Sequence, residues 1–234
     1  MAYNLNNKLV IAISSRALFD LEEENQIFEK DGLDAYYKYQ LENEDKSLKK
    51  GTGYRLVENI LKINSFFSSD ERQVEVIILS KNNAATSLRI TNAINDLKLD
   101  IIRSASTSGT NISNYLKAFK VDLFLSADDN DVLNAIENGV AAAKILHSNE
   151  NIHNISNEQV RIAFDGDAVL FSEESELVYK NHGLEAFIEH EKENRNNPLE
   201  MGPFAKLLLT IAKIQAKFPT DKSPIRTALV TARS

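Results

Sequence analysis

The sequence predicts an α/β fold of two related units, each organised around a parallel sheet, with the second unit incomplete at its C-terminus. Two observations predict it. First, residues 10–83 align with residues 161–234 without a gap, so that Glu42-Asn43, for example, recurs as Glu193-Asn194. Second, short apolar runs alternate with amphipathic helical patterns, which is typical of strands that lie side by side beneath helices on both faces.

The first unit shows this alternation along its whole length. Short apolar runs predict strands at residues 9–13, 74–79, 99–103 and 121–125. Apolar residues at three- and four-residue spacing among charged ones predict helices at residues 21–40, 51–67, 84–97, 114–119 and 129–146, the last with an Ala-rich centre. Residues 148–159 are polar and rich in Asn and Ser, and we expect them to link the two units.

The second unit repeats the beginning of the first. Strands are predicted at residues 160–164 and 225–230, and helices at residues 173–193 and 202–218. Ser234 matches position 83 of the first unit, which itself continues to about residue 147. We therefore divide the chain into an α/β repeat unit at 1–147, a linker at 148–159 and an apparently truncated α/β unit at 160–234.

Composition and charge limit the classes of function. The formal net charge of −7 argues against a nucleic-acid partner, because binding many phosphates needs a basic surface. The chain has no Cys, which excludes disulfides and thiolate chemistry. No apolar run is long enough for a signal peptide or a membrane span, so we expect a cytoplasmic protein without a membrane partner; a homo-oligomer is left open.

Two carboxylates follow the strand predicted at residues 160–164. Asp165 and Asp167 flank Gly166, which permits a tight turn, so both side chains can face one crevice at the carboxyl end of the sheet. Two acids so close repel each other unless a divalent cation relieves them. Magnesium is the expected cation, held by Asp165 and Asp167, because hard oxygen ligands are available and no His or Cys cluster is near.

The same two carboxylates suit the hydrolysis of a phosphate ester. One can attack phosphorus and form an aspartyl-phosphate, while the other protonates the leaving oxygen and then activates water. At the end of the next predicted strand of this unit, Thr231 offers a hydroxyl and Arg233 a guanidinium to the oxygens of the phosphoryl group.

The segment IAFDGDAVLFS at residues 162–172 resembles the first motif of the cytosolic 5′-nucleotidase type I family, in the haloacid-dehalogenase-like phosphatase superfamily. Further blocks at residues 9–20, 116–127 and 229–234 extend the resemblance over nearly the whole chain. The resemblance implies two Rossmann-like, haloacid-dehalogenase-like units. It also implies magnesium-dependent hydrolysis of nucleoside 5′-monophosphates such as AMP, with Asp165 as nucleophile, Asp167 as general acid/base and Thr231 as the hydroxyl that holds the phosphoryl group.

The chain departs from the superfamily pattern in two respects. A lysine and a further acidic residue are expected beyond Thr231, where the sequence ends, and the first unit has Ser14 and Arg16 at the positions of Asp165 and Asp167. The first unit is therefore expected to be a degenerate copy, in which Arg16 could contact substrate or an effector. The alternative function is a catalytically inactive or truncated homologue that binds nucleotides or regulates.

Overall fold

The structure is a computed structural model that describes residues 4–83, 86–147, 159–165, 181–182 and 204–230. The chain divides into two compact units, Met1–Val160 and Arg161–Ser234. None of the helices in the described ranges combines the length and the apolar character needed to cross a bilayer.

The described residues form nine strands and seven α-helices. The strands are β1 (Leu9–Ile13), β2 (Phe19–Asp20), β3 (Lys49–Lys50), β4 (Val74–Ser80), β5 (Arg103–Ser106), β6 (Leu123–Ser126), β7 (Ala142–Lys144), β8 (Val160–Asp165) and β9 (Ile225–Val230). The helices are α1 (Ser15–Leu18), α2 (Glu22–Glu42), α3 (Tyr54–Lys62), α4 (Leu88–Asp96), α5 (Ser113–Ala118), α6 (Asp129–Glu137) and α7 (Ala205–Gln215). Short 3₁₀ turns lie at Ile63–Phe66, Ser69–Glu71 and Thr220–Lys222.

A five-stranded sheet forms the centre of the first unit, with the order β5-β4-β1-β6-β7 and every neighbouring pair parallel. The predicted parallel α/β architecture is thereby confirmed for this unit. The order reverses between β1 and β6, since the chain moves outward from β1 through β4 to β5 and then returns to the other side of β1. In doubly wound sheets of this kind, ligands bind outside the carboxyl ends of the strands at such a reversal.

Burial on both faces explains why the central strands read as continuous apolar runs. All five residues of β1 and all seven of β4 are buried. Val10 and Ala12 lie in one core cluster with Ile112, with Leu116 of α5 and with Ala135 of α6. Helix α3 packs against β4 and α1. Each strand of the centre is thus covered by helices, as a parallel sheet requires.

Glu75 is the charged exception within β4. It is completely buried, and its carboxylate pairs with the guanidinium groups of Arg103 in β5 and Arg72. Burial of an unpaired carboxylate would be strongly unfavourable, so the two arginines account for its presence in the sheet.

Two predictions for the first unit are wrong in position. The predicted strand at 99–103 lies instead at Arg103–Ser106, because the chain turns at Lys98 (φ 53°) and closes a tight turn from Ile101 N–H to the Leu99 carbonyl. The predicted helix at 129–146 ends at Glu137. Gly139 adopts φ 75° just beyond it, a left-handed helix end that suits glycine, and the Ala-rich segment continues as β7 beside β6.

The other helices and strands predicted for the first unit are observed, with ends shifted by a few residues, whereas the short helix α1 was not predicted. Helix α2 is interrupted at Gly32, where the backbone is not helical. The pairing of β2 with β3, an antiparallel contact of two residues each, had no signal in the sequence.

The second unit is described through β8, α7 and β9, which confirms both predicted strands and the core of the predicted helix at 202–218. Strands β8 and β9 pair in a two-stranded sheet. Leu207, Ile211 and Ile214 form the buried stripe of α7 at four- and three-residue spacing. The helix predicted at 173–193 lies outside the described residues, apart from 181–182. The internal duplication stays a prediction, although α3 and α7 start at Tyr54 and Ala205, the offset of the sequence repeat.

Candidate functional site

Asp165 is the last residue of β8 and is exposed to solvent. Val160 and Phe164 of the same strand are buried, whereas the end of β8 at Asp165 reaches the surface. The exposed end of a strand, next to a glycine, is a position at which a carboxylate can contact a ligand. This is the position in which the sequence predicts a nucleophile.

Asp167, Thr231 and Arg233 lie outside the described residues. Their local sequence nevertheless connects them to described strands, since Asp167 follows β8 by two residues and Thr231 follows β9 directly. Because β8 and β9 are neighbours in one sheet, the strand that carries Asp165 lies beside the strand that leads to Thr231.

Arg16 is described, and it lies on a crevice of the first unit. The crevice has a volume of about 560 Å³ and opens at the carboxyl ends of β1, β4 and β6, where the strand order reverses. Pockets that bind small organic ligands have roughly 300–1,000 Å³. We call this feature the first-unit crevice and define it by Ser14, Arg16, Tyr36, Ser80, Asn82 and Ser126.

Serine hydroxyls form the floor of the first-unit crevice. The hydroxyl of Ser15, just after β1, lies 3.2 Å from that of Ser80 at the end of β4. The Ser14 hydroxyl accepts the Ala17 N–H at 3.3 Å and caps α1, while the Ser126 hydroxyl accepts the Asp128 N–H at 3.2 Å. Both are thereby used as acceptors, which leaves their O–H groups available to donate to a ligand.

Charged groups on the crevice are mostly paired within it. The Lys81 ammonium lies 2.6 Å from a carboxylate oxygen of Asp131, and Glu24 is neutralised by Arg89. Asp128 accepts the Asp131 N–H at 3.0 Å as the N-cap of α6. Arg16 is held more loosely, with 3.9 Å between its guanidinium and the carboxylate of Glu22.

The opposite wall of the crevice comes from α2 and is largely apolar. Phe28 and Tyr36 pack edge to face with ring centroids 5.9 Å apart, and Leu33 lies beside them with 62% of its surface exposed. The Tyr36 hydroxyl donates to the Asn82 side-chain oxygen at 3.1 Å and accepts from Gln40 at 3.0 Å. Burial, partly offset by the Gln40 hydrogen bond, raises the pKa of Tyr36 above its ordinary value.

Asn82 carries an unsatisfied donor at the crevice. Its side-chain nitrogen is buried and finds no hydrogen-bond partner within the described part of the chain. An unmade hydrogen bond at a buried amide costs about 1–3 kcal/mol, so such groups usually meet a ligand or a water molecule. Neither Asn82 nor Tyr36 was identified from the sequence. Ser80 had a signal, because it aligns with Thr231 in the repeat.

No group of three or more His, Asp or Glu side chains that could hold a metal ion occurs among the residues whose positions are described.

Comparison with known proteins gives two concordant results. A family model described as 5′-nucleotidase matches residues 1–234. Human "Cytosolic 5′-nucleotidase 1B" is 36% identical over 236 aligned positions, which include 97% of this chain. The chain spans 38% of the length of that relative.

Proposed function

Because the chain belongs to the 5′-nucleotidase family, we propose that the protein hydrolyses nucleoside 5′-monophosphates, AMP among them, to nucleoside and inorganic phosphate. Its place of action in this proposal is the cytoplasm, the compartment named for the human relative. The single observation that supports the assignment best is the exposed carboxylate of Asp165 at the end of β8, within the segment Phe164-Asp165-Gly166-Asp167.

The donor set at this strand end fits magnesium. Asp165 and Asp167 supply hard carboxylate oxygens, and magnesium is commonly held by one or two carboxylates while it retains several water molecules. In the proposal these two residues hold the ion. When bound, magnesium would offset the negative charges of the carboxylates and of the phosphate, which otherwise repel each other.

Asp165 is the nucleophile in the proposed reaction. One of its carboxylate oxygens attacks phosphorus, and the bond between phosphorus and the 5′ oxygen of the nucleoside breaks. Asp167 gives its proton to that leaving oxygen, so the nucleoside departs as a neutral alcohol. The phosphoryl group is then an acyl phosphate on Asp165.

Water completes the cycle with the roles of the acids exchanged. The Asp167 carboxylate removes a proton from water, the water oxygen attacks phosphorus, and the bond from phosphorus to Asp165 breaks. Inorganic phosphate leaves and both carboxyl groups return to their starting state. Thr231 and Arg233 are proposed to donate hydrogen bonds to the phosphoryl oxygens, where negative charge accumulates.

Phosphate release from AMP in the presence of magnesium tests the proposal. Asp165→Asn removes the nucleophile at constant volume and should lower the rate about a thousandfold or more. Asp221→Asn is the matched control, because Asp221 is an exposed acid of the same unit within Thr220–Lys222, and it should keep the native rate. Equal rates for native and Asp165→Asn protein would refute the assignment of the nucleophile.

A nucleotide-binding homologue without turnover is the second candidate. The observation that favours it is the first-unit crevice, which has a ligand-sized volume and carries Ser14 and Arg16 at the positions that align with the two aspartates. Calorimetric binding of AMP without phosphate release from the native protein, with magnesium present, would select this candidate over the enzyme.

A further inference from the structure

We propose that the first-unit crevice is a second ligand site, which binds a nucleotide-like molecule with a phosphate group at Arg16 and a planar ring against the α2 wall. The site is defined by residues of the first unit alone, and binding there does not require phosphate release at Asp165. Its position, its hydrogen-bonding groups and its apolar wall each point to this ligand class.

The position is the one where a doubly wound sheet binds ligands. Strand β1 has β4 on one side and β6 on the other, and the loops that leave their carboxyl ends diverge above the sheet. A serine lies at each of these three ends and lines the crevice, namely Ser14, Ser80 and Ser126. The volume of about 560 Å³ is sufficient for a nucleoside monophosphate.

The polar groups favour an oxygen-rich anion. The hydroxyls of Ser14 and Ser126 can donate, and so can the buried Asn82 amide nitrogen that lacks a partner among the described residues. Lys81 and Glu24 are already neutralised by close ion pairs. Arg16, with its guanidinium 3.9 Å from Glu22, is the cation that can move to a phosphate at the smallest cost.

Asp128 also faces the crevice and opposes an anion. Its carboxylate is partly satisfied by the Asp131 N–H as the N-cap of α6, which reduces the repulsion without removing it. A phosphate therefore fits best in contact with the Arg16 guanidinium, whose charge offsets this repulsion.

The apolar wall favours a planar ring at the other end of the ligand. Phe28 and Leu33 leave 48% and 62% of their surfaces exposed at the crevice, although both are large and apolar. An aromatic base that stacks on Phe28 would cover this surface. The end of β1 has Ser14 and Arg16 where the second unit has its two aspartates, so this strand end offers no carboxylate to attack the phosphate, and we expect the ligand to be held intact.

A tryptophan reporter tests the site selectively. The chain has no native Trp, so Phe28→Trp places one fluorophore at the crevice, and Phe66→Trp places one on an exposed surface elsewhere as control. Both are made with Asp165→Asn so that AMP is not consumed. Titration with AMP should change the emission of the first protein in a saturable way and leave that of the second unchanged.

Further variants and probes identify the groups that recognise the ligand. Arg16→Gln in the Phe28→Trp protein should weaken AMP binding about tenfold or more, because a charge-assisted contact is lost. Arg55→Gln is the matched control, since Arg55 is also a partly exposed arginine paired with a nearby acid, and it should keep the affinity. Adenosine and inorganic phosphate alone should each bind at least tenfold more weakly than AMP.

Several results would overturn the proposal. These are no saturable response to AMP at position 28, an affinity that Arg16→Gln leaves unchanged, or adenosine binding as tightly as AMP. If the tryptophan itself obstructs the crevice, the rise in melting temperature that AMP produces in the Asp165→Asn protein supplies the same test. That rise should shrink with Arg16→Gln and persist with Arg55→Gln; equal shifts in the two would also overturn the proposal.

The outcome is distinguishable from failure of the proposed 5′-nucleotidase activity. The reporter measures binding in the first unit in a protein without the Asp165 nucleophile, whereas the activity assay measures phosphate release that depends on Asp165. Each can succeed while the other fails.

Discussion

The guanidinium of Arg89 in α4 lies 2.5 Å from a carboxylate oxygen of Glu24 in α2, and both side chains are more than nine-tenths shielded from water. The same guanidinium donates to the Gln40 side chain at 3.3 Å and to the Lys46 carbonyl at 3.1 Å. One arginine thereby holds both halves of α2, on either side of Gly32. The wall of the first-unit crevice depends on this arrangement.

We expect Arg89→Met to lower the free energy of unfolding by roughly 3–5 kcal/mol, because Glu24 would remain as a buried, uncompensated carboxylate. Glu24→Gln, which leaves the arginine unpaired, should also destabilise. The double variant should be more stable than the sum of the two losses predicts. It removes both charges together, so neither a carboxylate nor a guanidinium remains buried without its partner. Urea denaturation measures all three. If the loss in the double variant equalled the sum of the two single losses, Arg89 and Glu24 would have no coupling energy.

Gly32→Ala should destabilise the protein by about 1–3 kcal/mol through backbone strain alone. Gly32 has φ 85° and ψ −175°, a conformation that L-amino acids rarely adopt, while no atom lies within 4 Å of an added Cβ. Asp31→Ala, at the exposed neighbouring position, is the control and should change stability by less than about 0.5 kcal/mol. If both variants were equally stable, the interruption of α2 would not require glycine.

Stability should depend on pH through Tyr36. Burial raises the pKa of its hydroxyl above the ordinary value, and the charge of Glu24 acts in the same direction, against the hydrogen bond that Gln40 donates to it. The unfolded chain then loses this proton near pH 10 while the folded protein retains it. The stabilisation is thus complete below about pH 10 and is lost as pH rises through the higher pKa of the folded state.

Tyr36→Phe removes this titration together with the two hydrogen bonds of the hydroxyl. At pH 8 we expect a loss of about 1–2 kcal/mol in the free energy of unfolding. Above pH 10 the variant should lose stability less steeply than the native protein, although Tyr39 and Tyr54, whose pKa values burial also raises, contribute to the decline in both. If the free energy of unfolding fell equally steeply with pH above 10 in both proteins, Tyr36 would not contribute to the decline.

The sequence predicted those parts of the fold whose signals are local. Strand β1 is a run of five buried apolar residues, and α3 carries its apolar residues on one face, so either can be recognised in isolation. The segment Ala141-Ala142-Ala143 has no such signal, because alanine suits a helix as well as a buried strand next to α6. Gly139 was the available signal for the end of α6, and its left-handed backbone is what separates α6 from β7.

The residues of the candidate sites also differ in whether the sequence signals them locally. Asp165 was predicted at the end of β8 because strand, glycine and acid are consecutive in sequence, and the structure places it at that end. The hydrogen bond between Tyr36 and Asn82 joins residues that are 46 positions apart and belong to different parts of the unit. A side chain that becomes functional only through such a contact gives no pattern in the sequence. Tyr36 and Asn82 come together only because α2 packs near the end of β4.

The central claim is that Asp165 accepts the phosphoryl group, and a quenched single-turnover experiment tests it most directly. The protein is mixed with magnesium and AMP labelled in its phosphate, stopped in acid within the first turnover, digested and analysed by mass spectrometry. We predict a phosphoryl group on Asp165 in the native protein and in the Asp221→Asn control, and none in Asp165→Asn. Phosphate release from the native protein without any label on Asp165, or a label that persists in Asp165→Asn, would contradict the account.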